Sequence, residues 1–461
     1  MAAEKTLTRD LTEGSPLKLI IAFAIPMILG NLFQQLYNFV DTMIVGHFLG
    51  VEALAGVGAT GSISFLIIGF CMGMCAGFAI PVAQAFGAQD YKTLRKYVAN
   101  SLYMSLAFSF GIAIVVSLLC RNILEWMQTP EDCIEYSYTY ILTLFIAIPI
   151  TFLYNILAGI IRAVGDSKTP LIFLVISTII NVILDYLFIS TFSMGVFGAA
   201  LATVISQLIS GIMCLVVIIM KFEVLHVSGD EWNYDTHCVS RLCSMGLPMG
   251  LQYSITGIGS VILQSSVNML GSLSVAAVTS ASKVNLLFLC VLDALGASMA
   301  TYGGQNLGAG RIDRIRQGTR AACIVGIAYS ILAFIAVIFV RVPMIKMFTD
   351  TPIPEMVDMS ALHVLVTTGC LTLLVFVNVL RFLIQGVGYS NFAIIAGILE
   401  MIARTVAGLV FIPLFGFVGA CVASPFAWLL ADSFLIPAYL TIMKKLENKY
   451  ASAGEVVSAE D

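Results

Sequence analysis

The sequence predicts an all-α polytopic membrane protein whose twelve transmembrane helices form two pseudo-symmetric six-helix lobes, and three observations carry that expectation. Hydrophobic residues make up 59% of the 461 and charged residues only 11%, where a globular chain carries about 25% charged. Twelve apolar runs alternate with polar breaks, each run long enough to supply the roughly 20 residues that a helix rising about 1.5 Å per residue needs to cross hydrocarbon. The second half also repeats the first.

The runs cover 17–46, 53–86, 97–120, 137–163, 170–190, 195–220, 246–269, 273–306, 319–341, 359–387, 391–412 and 417–441. Residues 1–23 lack a short apolar core followed by a small-residue cleavage site, so the first run is expected to stay as a membrane span. Basic residues set the orientation. Lys5, Arg9, Lys18, Lys92, Arg95, Lys96, Arg162, Lys168, Lys221, Arg241, Arg311, Arg314, Arg316, Arg320, Lys444, Lys445 and Lys449 fall on one side, only Arg121, Arg341 and Lys346 on the other, and Lys283, Arg381 and Arg404 within spans. Both termini are therefore expected in the cytoplasm of a multi-pass cell-membrane protein.

The repetition divides the chain. LGVEALAGVGATGSI near Gly50 returns as LGSLSVAAVTSASKV near Gly271, and NILAGIIRAVGDS returns as NVLRFLIQGVGYS, pairing Asn155 with Asn378 and Gly165 with Gly388. Pro26 pairs with Pro248, and Thr203 with Ser424. The expected organisation is a six-helix lobe at 1–221, a cytoplasmic linker at 222–245, a second lobe at 246–443 and a cytoplasmic tail at 444–461.

Several classes of function are excluded or made poor. The eleven cysteines include no CxxC and no Cys/His cluster, so no metal is expected beyond a coupling ion. The thiols of Cys120 and Cys133 flank the outer loop between spans 3 and 4, where a disulfide is one open alternative. The turns after spans 2 and 8 lack the Lys-Ser/Thr of a phosphate loop. Four histidines make a membrane-embedded enzyme a poor reading, no cofactor is expected, and no nucleic-acid partner is indicated.

The chemistry is concentrated in span 1. Asn31, Gln34, Asn38 and Asp41 are spaced three, four and three apart, which is one helical face, and Tyr37 lies one turn below Asp41 on nearly the same side. An acidic side chain facing lipid at mid-helix costs roughly 2.5 to 3.5 kcal/mol. The stripe is therefore expected to line a protein-walled, hydrated cavity. The competing reading has the amides stitching helices together, with Asp41 at headgroup level. Asp185, with Asn181 one turn away, is a second buried carboxylate at similar depth in span 5, Thr203 descends from the outer end of span 6, and Tyr140 enters on span 4. Two carboxylates in an apolar lobe hold either a proton or a metal cation, and oxygen donors suit Na⁺. A satisfied structural network is the alternative. In the second lobe Lys283, Asp293, Glu400 and Arg404 are expected to neutralise one another, with a substrate or proton site as the alternative, and Arg381 is expected to snorkel toward the inner surface. Pro26, about four turns below Asp41, permits a bend in span 1.

The AIPMILGNLFQQLYNFVDTMIVGHFLG run, the Gln-x-x-Gly-Ala turns after spans 2 and 8, RAVGDSKTP and NVILDYLFI together resemble the multidrug and toxic compound extrusion (MATE) family, and more closely its DinF-type branch. The resemblance covers nearly the whole chain. It implies a cation-coupled antiporter that exports cationic amphiphilic drugs or toxic organic compounds by alternating access in exchange for Na⁺ or H⁺. It places the coupling site at Asp41, Asn181, Asp185 and Thr203, with Tyr37, Tyr140 and Asn155 around it and Pro26 as a bend. A monomer in membrane lipid is expected. A lipid-linked oligosaccharide flippase of the same superfamily is the rival, although a pyrophosphate asks for cations and the first lobe is acidic. One departure stands out: a functional Glu that another branch carries in span 7 is absent here, where Tyr253, Ser254 and Thr256 occupy that neighbourhood.

Overall fold

The computed structural model describes residues 8–127, 129–131, 133–347 and 353–457. Lys5 and the outermost parts of the expected first lobe and tail lie outside them. Among the described residues every regular element is helical. The passes are α1 (Pro16–Gly50), α2 (Glu52–Gly87), α3 (Tyr91–Leu118), α4 (Ile134–Ile146 continued by Ile148–Ala163), α5 (Lys168–Thr191), α6 (Gly195–Lys221), α7 (Thr236–Asn268), α8 (Ser272–Gly308), α9 (Ile312–Met347), α10 (Pro354–Gly369 continued by Leu371–Gly386), α11 (Asn391–Phe415) and α12 (Phe417–Tyr450). A short helix, Cys120–Trp126, sits between α3 and α4. Helix α7 is long enough to cross hydrocarbon but less apolar than the others. Faces that a soluble protein would bury are open on several passes, for example Leu106, Phe110, Ile114 and Leu118 on α3 and Ile324, Ile331, Ile335 and Phe339 on α9. Lipid is the solvent that such faces suit. Cys120 and Cys133 are both buried free thiols, so the disulfide alternative does not hold.

The repeat is visible in the backbone as paired departures from regular helix. Helix α4 bends by 50° at Ala147, where Pro149 two residues on lacks the N–H that would continue the ladder, and α10 bends by 49° at Cys370 with no proline beside it. A π-helical turn ends α5 at Leu187–Thr191 and interrupts α11 at Ala407–Phe411. Left-handed residues pair as Gly50 (φ 86°) with Gly271 (92°), and Gly165 (92°) with Gly388 (93°).

The chain forms two compact units, one of Met1–Asp10 and Leu29–Ser254, the other of Leu11–Ile28 and Ile255–Asp461. This differs from the expected division, because the first part of α1 belongs with the second unit and the linker with the first. The reason is packing. Leu11, Leu19, Ile20, Phe23 and Ala24 share a core with Leu292, Leu295, Met299 and Tyr302. The Leu11 N–H donates to Gln305 Oε1 at 2.9 Å, and Arg314 Nη2 donates to the Gly14 carbonyl at 3.0 Å.

In the first unit, α7 lies against α2 through small residues. A Cβ at Gly77 would meet the Gly246 Cα at 2.5 Å and the Met245 carbonyl at 2.7 Å, and one at Gly73 would meet the Met249 carbonyl at 2.7 Å. Two Gly-x-x-x-Gly pairs, Gly73 with Gly77 and Gly246 with Gly250, thus let the helices touch at backbone distance. Gly77→Val is expected to cost roughly 1 to 3 kcal/mol or more, as overpacking does. The melting temperature of the detergent-purified variant checks this, and a wild-type value would refute the close approach.

The expected linker is docked on the first unit. Arg95 donates two hydrogen bonds of 2.7 Å to Glu231, the Ser228 N–H donates to Glu231 Oε2 at 3.0 Å, and the Tyr103 hydroxyl donates to the Trp232 carbonyl at 2.9 Å. The Arg95 bond holds the Glu231 carboxyl down to about 2, against the opposing effect of burial. A depressed acid contributes stability that is complete above its ordinary range and is lost as pH falls through the folded value. Hydrogen exchange across 228–235, corrected for intrinsic rate, should therefore be unchanged between pH 8 and pH 5. It should rise at both pH values in Glu231→Gln.

Candidate functional site

The polar stripe of α1 is built as spaced, but its members part company. Asp41 is buried, Tyr37 half-buried, and Gln34 and Asn38 are exposed. Asp41 meets α5, whose Asp185 is fully buried and whose Asn181, four residues earlier and so on the same face, is 1% exposed. The π-helical turn that follows Asp185 ends α5 with a widened turn, a feature found often beside functional residues. Around the pair packs a small apolar cluster of Val45, Ala53, Tyr140, Ile189, Val196, Ala199 and Ala200.

The two carboxyl groups lie within hydrogen-bonding reach of each other. Asp41 Oδ1, both oxygens of Asp185 and both polar atoms of the Asn181 amide have no hydrogen-bonding partner in the protein. Two bare carboxylates cannot bond to each other, and like charge at such range is repulsive in a low dielectric. The arrangement therefore calls for a positive charge on or between them. A shared proton satisfies it directly. The donor set, two carboxylates and an amide carbonyl, also suits a hard ion such as Na⁺.

Beside the pair, Thr203 Oγ1 lies 2.8 Å from the Tyr37 hydroxyl and 3.2 Å from the Ala199 carbonyl. With the threonine hydrogen on that carbonyl, Tyr37 donates to Thr203 and leaves its own oxygen free to accept. Both Tyr37 and Tyr140 lie within electrostatic range of the two carboxyl groups. The structure thus brings Asp41, Asp185, Asn181, Tyr37, Thr203 and Tyr140 together. It does not bring Asn155 into the group: its amide donates to the Thr151 carbonyl one turn back on α4, at 2.8 Å. Pro26 is buried in α1, and the helix continues through it. The chain passes from one unit to the other between Ile28 and Leu29, within one turn of that proline.

In the second unit the expected neutralisation takes a different form. Arg381 donates to Glu400 Oε1 and to Asn378 Oδ1, each at 2.8 Å, and the Asn378 amide donates to Asp293 Oδ1 at 2.8 Å. Arg404 lies 3.7 Å from Glu400 and donates to the Thr256 carbonyl at 3.0 Å. Arg381 does not snorkel. It is 8% exposed because Glu400, at 3% exposed, holds it inside the unit. Lys283 and Asp293 are both exposed on α8. Sequence reasoning missed Asp432, a buried acid on α12; its signal was the one that drew attention to Asp185, a lone carboxylate inside an apolar run.

Comparison with known proteins follows the same division. The MatE family model matches residues 26–187 and again 248–410, one match in each half. The chain is 30% identical over 309 residues to the Probable multidrug resistance protein YpnP of Bacillus subtilis, covering 66% of this chain and 68% of that protein. It is likewise 30% identical over 324 residues to the Probable multidrug resistance protein YoeA of the same organism, covering 69% and 70%. A solved structure described as the outward-facing conformation of a multidrug resistance MATE family transporter superposes with a TM-score of 0.87 at 22% identity, over 95% of this chain and 98% of that one.

Proposed function

Because the chain belongs to the MATE family of multi-pass membrane transporters, we propose that it is a cation-coupled antiporter that exports cationic amphiphilic compounds across the cell membrane by alternating access. The observation that carries this reading is the pair of carboxyl groups of Asp41 and Asp185, buried against each other without another partner. A site of that kind is neutral or singly negative when loaded and doubly negative when empty, so a coupling cation and a positively charged guest compete for it. Direct carboxyl-to-carboxyl reach favours H⁺ as the coupling ion, and the amide oxygen of Asn181 supports Na⁺ as the other choice. Loading from outside releases the guest; discharge to the inside restores affinity. Tyr37 and Thr203 hold the flank of the site, and Tyr140 keeps its wall apolar.

Each inward positive charge gains about 2.3 kcal/mol per 100 mV of membrane potential, roughly a fiftyfold bias. Pro26 is assigned the bend in α1 that accompanies exchange, since the missing backbone bond lets the helix flex where it passes between units. The termini are assigned to the cytoplasm by the distribution of basic residues, and the transporter is assigned as a monomer.

The test is efflux of a fluorescent organic cation from proteoliposomes, first under a pH gradient and then under an opposed Na⁺ gradient. Uphill movement is expected with one of them, and the responsive gradient names the ion. Movement that only ever runs down the cation's own gradient would refute the antiport.

A further inference from the structure

The exchange just described leaves a second carboxylate in the other unit unused. Asp432 on α12 is 4% exposed, and neither of its carboxylate oxygens has a hydrogen-bonding partner. Arg381 of α10 and Glu400 of α11 stand within electrostatic range of it, as does the Cys323 thiol of α9. Arg404 adjoins Glu400 on α11, and Asp293 of α8 reaches Arg381 through Asn378. Arg381 uses both of its terminal nitrogens on Glu400 and Asn378, and its buried Nε–H has no acceptor. One guanidinium donor and two carboxylate oxygens are thus left over in the same neighbourhood.

A carboxylate without water or donors is not stable in an apolar interior as an anion, and it neutralises by taking up a proton. A metal ion is a poor occupant, because the Arg381 charge already lies within range. We propose that Asp432 is a second proton-binding site and that it contests Arg381 with Glu400. Protonated, Asp432 is neutral and Arg381 stays on Glu400 and Asn378. When the proton leaves, the new carboxylate draws the free Nε–H side of the guanidinium toward α12. The Arg381 hold on Asn378 then slackens, and with it the Asn378 bond to the Asp293 carboxylate. One proton binds or leaves at Asp432 per event, and no other group gains or loses a bond to hydrogen. The inference rests on the cation-coupled reading above and adds a proton to each cycle.

Dicyclohexylcarbodiimide, which modifies protonated carboxyl groups in apolar surroundings, tests the site in the unaltered purified protein by peptide mass mapping. An adduct on Asp432 that declines as pH rises from 6 to 9, in wild type and in Asp41→Asn alike, is the expected result. No adduct there while other buried acids are modified, or an adduct suppressed by Na⁺ at constant pH, would overturn the proposal. In proteoliposomes held at a pH gradient of about one unit and no membrane potential, Asp432→Asn should lower the limiting substrate ratio about tenfold, the contribution of one proton. An unchanged ratio in an actively exporting variant would also overturn it. Should Asp41→Asn still export, the antiport at the first unit fails, while the Asp432 adduct and its pH dependence stand or fall separately.

Discussion

Asp41→Asn is expected to reduce export to the leak of empty liposomes while the protein still inserts and purifies as a folded species. Asparagine preserves the shape of the side chain and fixes it neutral, so Asp185 acquires an amide donor in place of an exchangeable proton. The donor favours Asp185 as the anion, so the loaded state that drives release of the guest is lost. Equilibrium binding of the fluorescent cation should survive more fully than transport, because a single carboxylate, that of Asp185, remains to receive a positive guest. Two measurements check this, initial efflux rates at matched protein density and binding by fluorescence polarisation. Efflux at the wild-type rate would remove Asp41 from the coupling site and with it the reading of the first unit.

Arg381→Met is expected to have the largest effect on stability, roughly 3 to 5 kcal/mol, because it leaves Glu400 buried with only the longer, 3.7 Å contact to Arg404 for compensation. Removing both charges in Arg381→Met/Glu400→Met should recover part of that loss, since the buried Glu400 anion goes with its partner while Arg404 keeps its bonds to the Thr256 carbonyl and to Ser260. Thermal unfolding of the two variants in detergent separates the cases. If the double variant melts as low as the single one, the pair is not what holds α10 to α11. The comparison also bears on Asp293, whose partner Asn378 leans on the same guanidinium.

Much of this was legible in the sequence, and the reasons for the rest are physical. The stripe from Asn31 to Asp41 follows from helical spacing alone, and Asp185 from the scarcity of acids in apolar runs. Which members of the stripe meet α5 could not be read, because spacing fixes a face and not the partner. Hence Asp41 is buried while Gln34 and Asn38 on the same face are exposed. Counting turns to the helix end places Arg381 at the surface, a rule that holds only when no acid sits closer than the headgroups; Glu400 does. Asp432 lies in a run whose length and closing basic residues mark a membrane span, and neither says that an acid within it is buried. The placement of residues 11–28 in the second unit was invisible for another reason. A hydrophobic run states how much it buries and is silent on which neighbour supplies the cover.

The paired backbone irregularities have a consequence of their own. The kinks at Ala147 and Cys370, and the widened turns after Asp185 and Arg404, stand at matching places in the two halves. The side chains beside them have diverged, into an acidic couple on one side and an alternating row of acids and bases on the other. The two halves thus share their joints and differ in the charged groups set beside them. Exchanging the chemistry of one half for that of the other should accordingly require changes to side chains only, with the joints left as they are.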